Sequence, residues 1–378
     1  MTTKIEWTEE TWNPVTGCSK VSAGCTHCYA ETLDRRFAKK DGHPFRPWNS
    51  ANMAHNVRLH PERIDAPLHW RKPRRVFVNS MSDLFHEKVP FEFLDEVFAV
   101  MLACAVLESR THTFQVLTKR PARMMEYLTH RSPSEMIKAW AYAGDGLIHL
   151  TDGDVLFSDA VYTETVHDWD AFGHNSNNSP AKSFGYTKKL WPLPNVWLGV
   201  SVENQQAADE RIPMLLQTPA AVRFLSCEPL LGPIDLNCIT LGGEITGNGK
   251  RKIVWDALNG WEHQFSTERT SEIPNLSSSK SHPDVDWVIA GGESGPGARL
   301  MHPEWVRSLR DQCMQADVPF FFKQWGEWAP FLALDKHPGQ NKKGVILGKE
   351  TVWRVGKRKA GRMLDGCTWD EFPKAGGK

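Results

Sequence analysis

No stretch of the sequence is apolar for long enough to cross a bilayer. The longest uncharged apolar run, Val97–Leu107, falls well short of the roughly 20 residues that a spanning helix requires. The first ten residues have no apolar core and carry Glu6, Glu9 and Glu10, so they do not read as a secretory signal. The expectation is a cytoplasmic protein with no membrane partner. Net charge is missing too: 45 Lys+Arg balance 45 Asp+Glu, which excludes bulk charge as the means of holding nucleic acid and leaves only local basic patches. There are no internal repeats, and no G-x-G-x-x-G turn joins a strand to a helix. Tyrosine is scarce, 5 residues against 16 Trp. With 40% hydrophobic and 24% charged residues the composition excludes wholesale disorder. A chain of 378 residues can bury a large core, as two domains or as one barrel with insertions.

Short apolar runs alternate with helical segments. Runs at 76–79, 114–117, 196–200, 222–226, 285–290 and 319–322 read as strands. Helical spacing marks a segment from Tyr29, then Phe91–Leu107, Pro121–Leu128, Asn204–Leu216 and Pro303–Gln315. Strands apolar throughout and separated by helices predict an α/β fold with a parallel sheet: a partial (β/α) TIM-type barrel of about six strands over 1–330. Residues 129–195 and 239–284 break the rhythm and read as two loop insertions, either without a task or serving as a lid or partner surface. Residues 331–378 read as a C-terminal basic extension, either solvated or touching phosphates. In such a fold the chemistry sits on the loops that follow the strands' C-terminal ends.

Of the 8 cysteines, Cys18, Cys25 and Cys28 fall within eleven residues. In a reducing compartment such a cluster points to a metal or to catalysis rather than to disulfides. Gly17 and Gly24 each precede a cysteine and let the backbone wrap closely. A structural zinc wants four ligands, and His27, His43 or Cys227 are the candidates for the fourth. Three cysteines with an open position suit instead a four-iron cluster with one iron left for an exogenous ligand, since such clusters otherwise take four cysteines.

Further motifs follow the predicted strands: WNPVTGC at 12–18, CYA at 28–30, NSMSDLF at 79–85, LTKRP at 117–121, LGVSVEN at 198–204, SCEPLLG at 226–232, GGESGPG at 291–297, KQWG at 323–326 and GRMLDG at 361–366. Together they resemble the phage-type three-cysteine-motif family of radical-SAM-like proteins, over almost the whole chain except the two insertions. Most radical SAM proteins have three residues between the first two cysteines, where this chain has six. The resemblance implies a [4Fe-4S] cluster on Cys18, Cys25 and Cys28 with S-adenosylmethionine on the free iron. It implies reductive cleavage of that cofactor to a 5′-deoxyadenosyl radical, acting on an unknown substrate for which a nucleotide or nucleic acid is the candidate. A separately encoded partner protein stays open.

On this reading Ser80 and Asp83 stand where the superfamily holds the methionine amino group, and Ser201 and Glu203 where it touches the ribose. Asp83 alternatively caps the next segment, and Glu203 alternatively favours a helix start. Lys119 and Arg120 would meet a carboxylate or phosphate, or form a surface pair. Glu228, Gly291 and Gly292 join the cofactor contacts, the glycines by exposing amides. Glu293 is the candidate acid near the reacting centre. Cys227 is either a substrate-side thiol or hydrogen-atom donor, or a buried inert thiol. Trp325 and Trp328 either stack on a base or pack in the core. The other functional class is a non-enzymatic, zinc-clipped barrel that binds nucleic acid or a partner protein.

Overall fold

A computed structural model describes residues 3, 5–42, 44–107, 111–149, 155–166, 190–246, 249–266, 276–280, 282–334 and 344–374. Its principal sheet has seven strands: β1 (Glu10–Trp12), β2 (Arg75–Val78), β3 (Thr113–Thr118), β4 (Val196–Ser201), β5 (Val222–Cys227), β6 (Trp287–Gly291) and β7 (Phe320–Gln324). Their order in the sheet is their order in the chain. The registers are parallel: Val76 pairs with Glu10 and with Phe114, and Val288 pairs with Leu225 and with Phe320. Every residue of β4 and β6 is buried, which is why these strands read as unbroken apolar runs. Helices alternate with them: α1 (Tyr29–Asp41), α2 (Phe91–Val106), α3 (Pro121–Thr129), α4 (Pro133–Gly144), α5 (Phe157–Val166), α6 (Gln205–Gln217) and α7 (Pro303–Gln315). This is a partial (β/α) barrel, with seven strands rather than about six. No helix among the described residues is long and apolar enough to cross a membrane.

By its internal packing the chain divides into two compact units. The first comprises 1–20, 33–198 and 218–221; the second comprises 21–32, 199–217 and 222–378.

In the first unit, the expected loop at 129–195 carries two helices, α4 and α5. Ser132 caps α4: its hydroxyl accepts from the Glu135 amide, and the Glu135 carboxylate accepts from the Ser132 amide in return, with Pro133 in the first turn. The helix buries Met136, Ile137, Trp140 and Ala141. Trp140 stacks on Phe98 of α2 with ring centroids 5.0 Å apart. The polar run at 175–180 lies outside the described residues.

A polar chain runs through this apolar layer. The Trp140 Nε1–H donates to the Tyr127 hydroxyl (2.9 Å), and that hydroxyl donates to Asp95 (2.9 Å), whose second oxygen pairs with Arg131 (2.9 Å). Burial, and then the Asp95 charge, push the Tyr127 phenol well above its ordinary range, so it stays a donor. Tyr127→Phe leaves the indole N–H and one carboxylate oxygen buried and unpaired. The expected loss is about 1–3 kcal/mol, read as a lower urea midpoint at unchanged slope.

In the second unit, the expected loop at 239–284 carries a four-stranded antiparallel sheet of 239–246, 249–256, 261–266 and 276–280. Asp209 of α6 accepts from the Thr240 amide, which ties this sheet to the helix (3.0 Å). The expected basic extension is also folded. Residues 328–330, 344–347 and 350–354 form an antiparallel three-stranded sheet. The tail then returns along β7, where Phe322 N donates to Trp369 O (3.0 Å), and the indole Nε1 of Trp287 on β6 donates to Glu371 O (2.9 Å). It thus covers an edge that would otherwise expose unpaired amides. Lys342 and Lys343 lie outside the described residues.

Candidate functional site

The segment after β1 carries the three cysteines. Cys18, Cys25 and Cys28 are half-buried thiols that form no disulfide, whereas Cys104, Cys227 and Cys313 are buried. Gly17 brings the chain into Cys18 with a positive φ of 80°, and a Cβ there would lie 1.8 Å from the Asn56 carbonyl oxygen. Only glycine tolerates both the conformation and the approach.

In the first unit Cys18 is held by Arg120, at the start of α3. One Arg120 Nη1 reaches the Cys18 Sγ (3.5 Å) and Asp83 Oδ2 (3.3 Å). Its Nη2 donates to the Ser19 carbonyl (3.1 Å) and the Ser19 hydroxyl (2.9 Å), and its Nε donates to Glu87 (3.2 Å). The guanidinium is only 9% exposed and Asp83 8%. Asp83 also accepts from the Thr118 hydroxyl (2.7 Å) and from the Lys119 (3.0 Å) and Phe85 (3.0 Å) amides. Four donors occupy its two oxygens. Asp83 therefore ties the loop after β2 to the loop after β3. Lys119 contributes its backbone amide to this knot. Ser80 is half-buried and donates to Asn13 Oδ1 (3.2 Å), within the WNPVTGC motif.

His86, missed in the sequence, completes this cradle. Its Nδ1 accepts from the Lys88 amide (3.1 Å), which leaves Nε2–H to donate to the Ser19 hydroxyl (2.9 Å). Burial first, and the Arg120 cation second, lower its pKa from 6.5 to about 4, against the pull of Glu87 and Asp83. The folded state thus keeps the ring neutral at a pH where the unfolded chain protonates it. Stability should fall as pH drops from about 6.5 to about 4 and level off below, since the unfolded state binds the extra proton across that window. Allowing for solvent screening around exposed Glu87, His86 contributes about 2 kcal/mol of this fall. Urea midpoints measured from pH 7 to pH 4 check it, because His86→Asn should flatten the profile.

In the second unit, three side chains hold the segment 21–32. The Ser22 hydroxyl donates to Glu203 Oε1 (2.8 Å). Glu203 is 2% exposed and pairs with Arg211 (3.0 Å), itself 4% exposed. Gly24 sits so close that a Cβ would fall 2.2 Å from the same Glu203 oxygen. His27 Nδ1 meets Glu293 Oε2 at 3.1 Å, and Arg299 donates to both Glu293 oxygens and to the Ala23 carbonyl (3.0 Å). Burial works against the Glu293 charge, but the hydrogen bonds from Arg299 and His27 hold its carboxyl below the usual carboxylate range. Glu293 is thus a clamped anion. Its bond to His27 engages only Nδ1 of that ring; His43 lies outside the described residues.

Cys227 is fully buried, and burial pushes its thiol well above the ordinary range. Glu228 accepts from Lys323 Nζ (2.8 Å) and Gln324 Nε2 (3.0 Å). The Gly292 amide, expected to face a ligand, donates to Gln324 O (2.9 Å), and a Cβ on Gly292 would lie 2.0 Å from the Trp325 carbonyl oxygen. Gly291 likewise abuts Gln324 O and Glu228. These glycines bring the ends of β6 and β7 together. Ser201 is buried, and its carbonyl accepts from Arg211 (2.7 Å). Trp325 and Trp328 spend their indole N–H groups on the Met363 and Ala298 carbonyls (2.8 Å each).

A family profile covers this whole arrangement, from residue 2 to residue 373. The chain belongs to the family described as Protein of unknown function (DUF5131). No curated protein and no solved structure matches it. Among the described residues, no group of three or more His, Cys, Asp or Glu side chains is placed to hold a single metal ion. The DUF5131 chain instead keeps each part of its cysteine segment on a buried arginine–carboxylate pair: Arg120–Asp83 at Cys18, and Arg211–Glu203 at Ser22 and Gly24.

Proposed function

We propose that this protein is a radical-SAM-like iron–sulfur enzyme that acts on a substrate of the nucleotide or nucleic-acid class. The observation that carries the reading is the cysteine segment itself. Three half-buried thiols follow the first strand of a partial (β/α) barrel, and a buried guanidinium donates to one of them. The donor set suits a thiolate-held group. A cationic N–H lies at Cys18 Sγ (3.5 Å), and Cys28 directly precedes α1, at the end of the helix whose amides suit a negative group. Cys18, Cys25 and Cys28 would hold a [4Fe-4S] cluster with S-adenosylmethionine at the open iron. Such a cluster, once reduced by an external electron donor, would supply the electron that splits the cofactor's carbon–sulfur bond into methionine and a 5′-deoxyadenosyl radical able to take hydrogen from the substrate.

The chain's own part is positioning. Arg120 fixes the backbone at Ser19 and points an N–H at Cys18. Ser22, Ala23 and His27 are fixed by Glu203, Arg299 and Glu293. Each anchor is itself locked by a second charge, so the thiols are presented by a stiff loop.

Anaerobic purification with iron and sulfide analysis, then reduction in the presence of S-adenosylmethionine, tests the reading. About four irons per chain, lost in Cys25→Ala, with 5′-deoxyadenosine formed, is the expected result. One zinc, no sulfide and no cleavage after cluster reconstitution would favour the zinc-clipped binding barrel instead.

A further inference from the structure

A cavity of about 350 Å³ opens in the first unit between α1 and the chain from 44 to 58. It lies within the roughly 300–1,000 Å³ typical of ligand sites. Arg46, His55 and Arg58 line it, as do Phe37 and Phe45, and Asp34 is the one carboxylate among its described lining residues. Asp34 is committed to the indole N–H of Trp48 (3.0 Å). The side chains of Arg46, His55 and Arg58 form no ion pair among the described residues. In a chain with no net charge, two unpaired arginines facing one hollow are a local concentration of positive charge. The Arg35 guanidinium also lies over the Phe45 ring, 4.7 Å from its centroid. Phe37, on α1, is 52% exposed, an apolar ring left open to this space.

We infer that this cavity binds a nucleotide unit, its phosphate on Arg46 and Arg58 and its base against Phe37. Guanidinium forks match phosphate oxygens in geometry and charge. An exposed ring beside them takes the flat face of any base, so recognition tolerates different bases. The concave shape admits one nucleotide and excludes a duplex. The same chemistry is offered by a free mononucleotide and by the 5′-phosphorylated end of a single strand. The cavity contains none of the three cysteines, so binding here does not depend on the cluster reading.

Calorimetric titration of the full chain tests this with four probes: AMP, adenosine, inorganic phosphate and a 5′-phosphorylated trinucleotide of dA. AMP should saturate the site more tightly than adenosine or phosphate alone. Arg46→Ala with Arg58→Ala should weaken AMP about tenfold or more and reduce its salt dependence. Phe37→Ala should weaken AMP about tenfold and leave phosphate unchanged. These are exposed positions, and an unchanged urea midpoint confirms folding; Arg58→Glu gives a second variant with a larger expected loss. A trinucleotide tighter than AMP assigns the site to strand ends, and one equal or weaker assigns it to free nucleotides. Failure of both AMP and trinucleotide to saturate at millimolar concentration overturns the inference, as does equal affinity in the double-arginine variant. Cys25→Ala should bind AMP as the parent chain does, which separates this result from the fate of the cluster.

Discussion

Arg120→Met is expected to lower the free energy of unfolding by about 3–5 kcal/mol and to reduce the iron retained after cluster reconstitution. The substitution keeps much of the side chain's apolar stem and removes the cation. What remains is Asp83, 8% exposed on its side chain, with three donors from Thr118, Lys119 and Phe85 but no opposing charge. The cost is that of an uncompensated buried anion rather than the net worth of the pair, so removing both charges should recover most of it. Arg120→Met with Asp83→Asn is therefore predicted to lie closer to the parent than Arg120→Met alone, and a double-mutant cycle in urea measures the coupling. Iron retention should not recover in the double variant, because Cys18 and Ser19 have still lost their donors. Recovery of both would mean that Arg120 serves the fold and does nothing for the thiol.

The frame of this fold was legible because its strands are buried on both faces. Runs such as VWLGV and WVIA carry no alternation, and the helices between them start with marked residues: Pro121 and Pro303 occupy first turns. The helix at 133–144 was also written in the sequence, as Ser132-Pro133-Ser134-Glu135 ahead of Met136, Ile137 and Trp140. Polar residues surrounding it masked that capping box. The antiparallel sheet at 239–280 gave a weaker signal, since its strands are polar and charged. At the site, the positions were legible and the partners were not. Asp83, Glu203 and Glu293 stand after strands, as expected, yet nothing in their local sequence tells whether a carboxylate faces a ligand or a buried arginine. Arg120 lies 37 residues from Asp83, and Arg299 lies 276 from Ala23. Only the folded chain brings them together. Cys227 was ambiguous for a similar reason: burial, which decides its chemistry, is a tertiary property.

The second large effect is expected at Glu203. Glu203→Leu should cost about 3–5 kcal/mol, because it leaves the Arg211 cation buried with a single backbone acceptor, the Ser201 carbonyl. Adding Arg211→Met should restore most of that stability by removing the stranded charge. Stability and loop position then come apart. In the double variant Ser22 still lacks its acceptor, so the turn that carries Cys25 has lost one of its anchors while the core is sound. Alkylation of Cys25, followed by mass spectrometry under native conditions, should run faster in the double variant than in the parent chain. Gly24→Ala tests the same anchor from the other side: its Cβ would fall 2.2 Å from Glu203 Oε1, so the loop must move although both charges remain. It should also speed alkylation, with a smaller loss of stability than Glu203→Leu. Unchanged Cys25 reactivity in both variants would show that Glu203 and Arg211 merely fill the core. Faster reactivity in both would place this buried pair in the service of the thiols, as the Arg120–Asp83 pair is argued to be at Cys18.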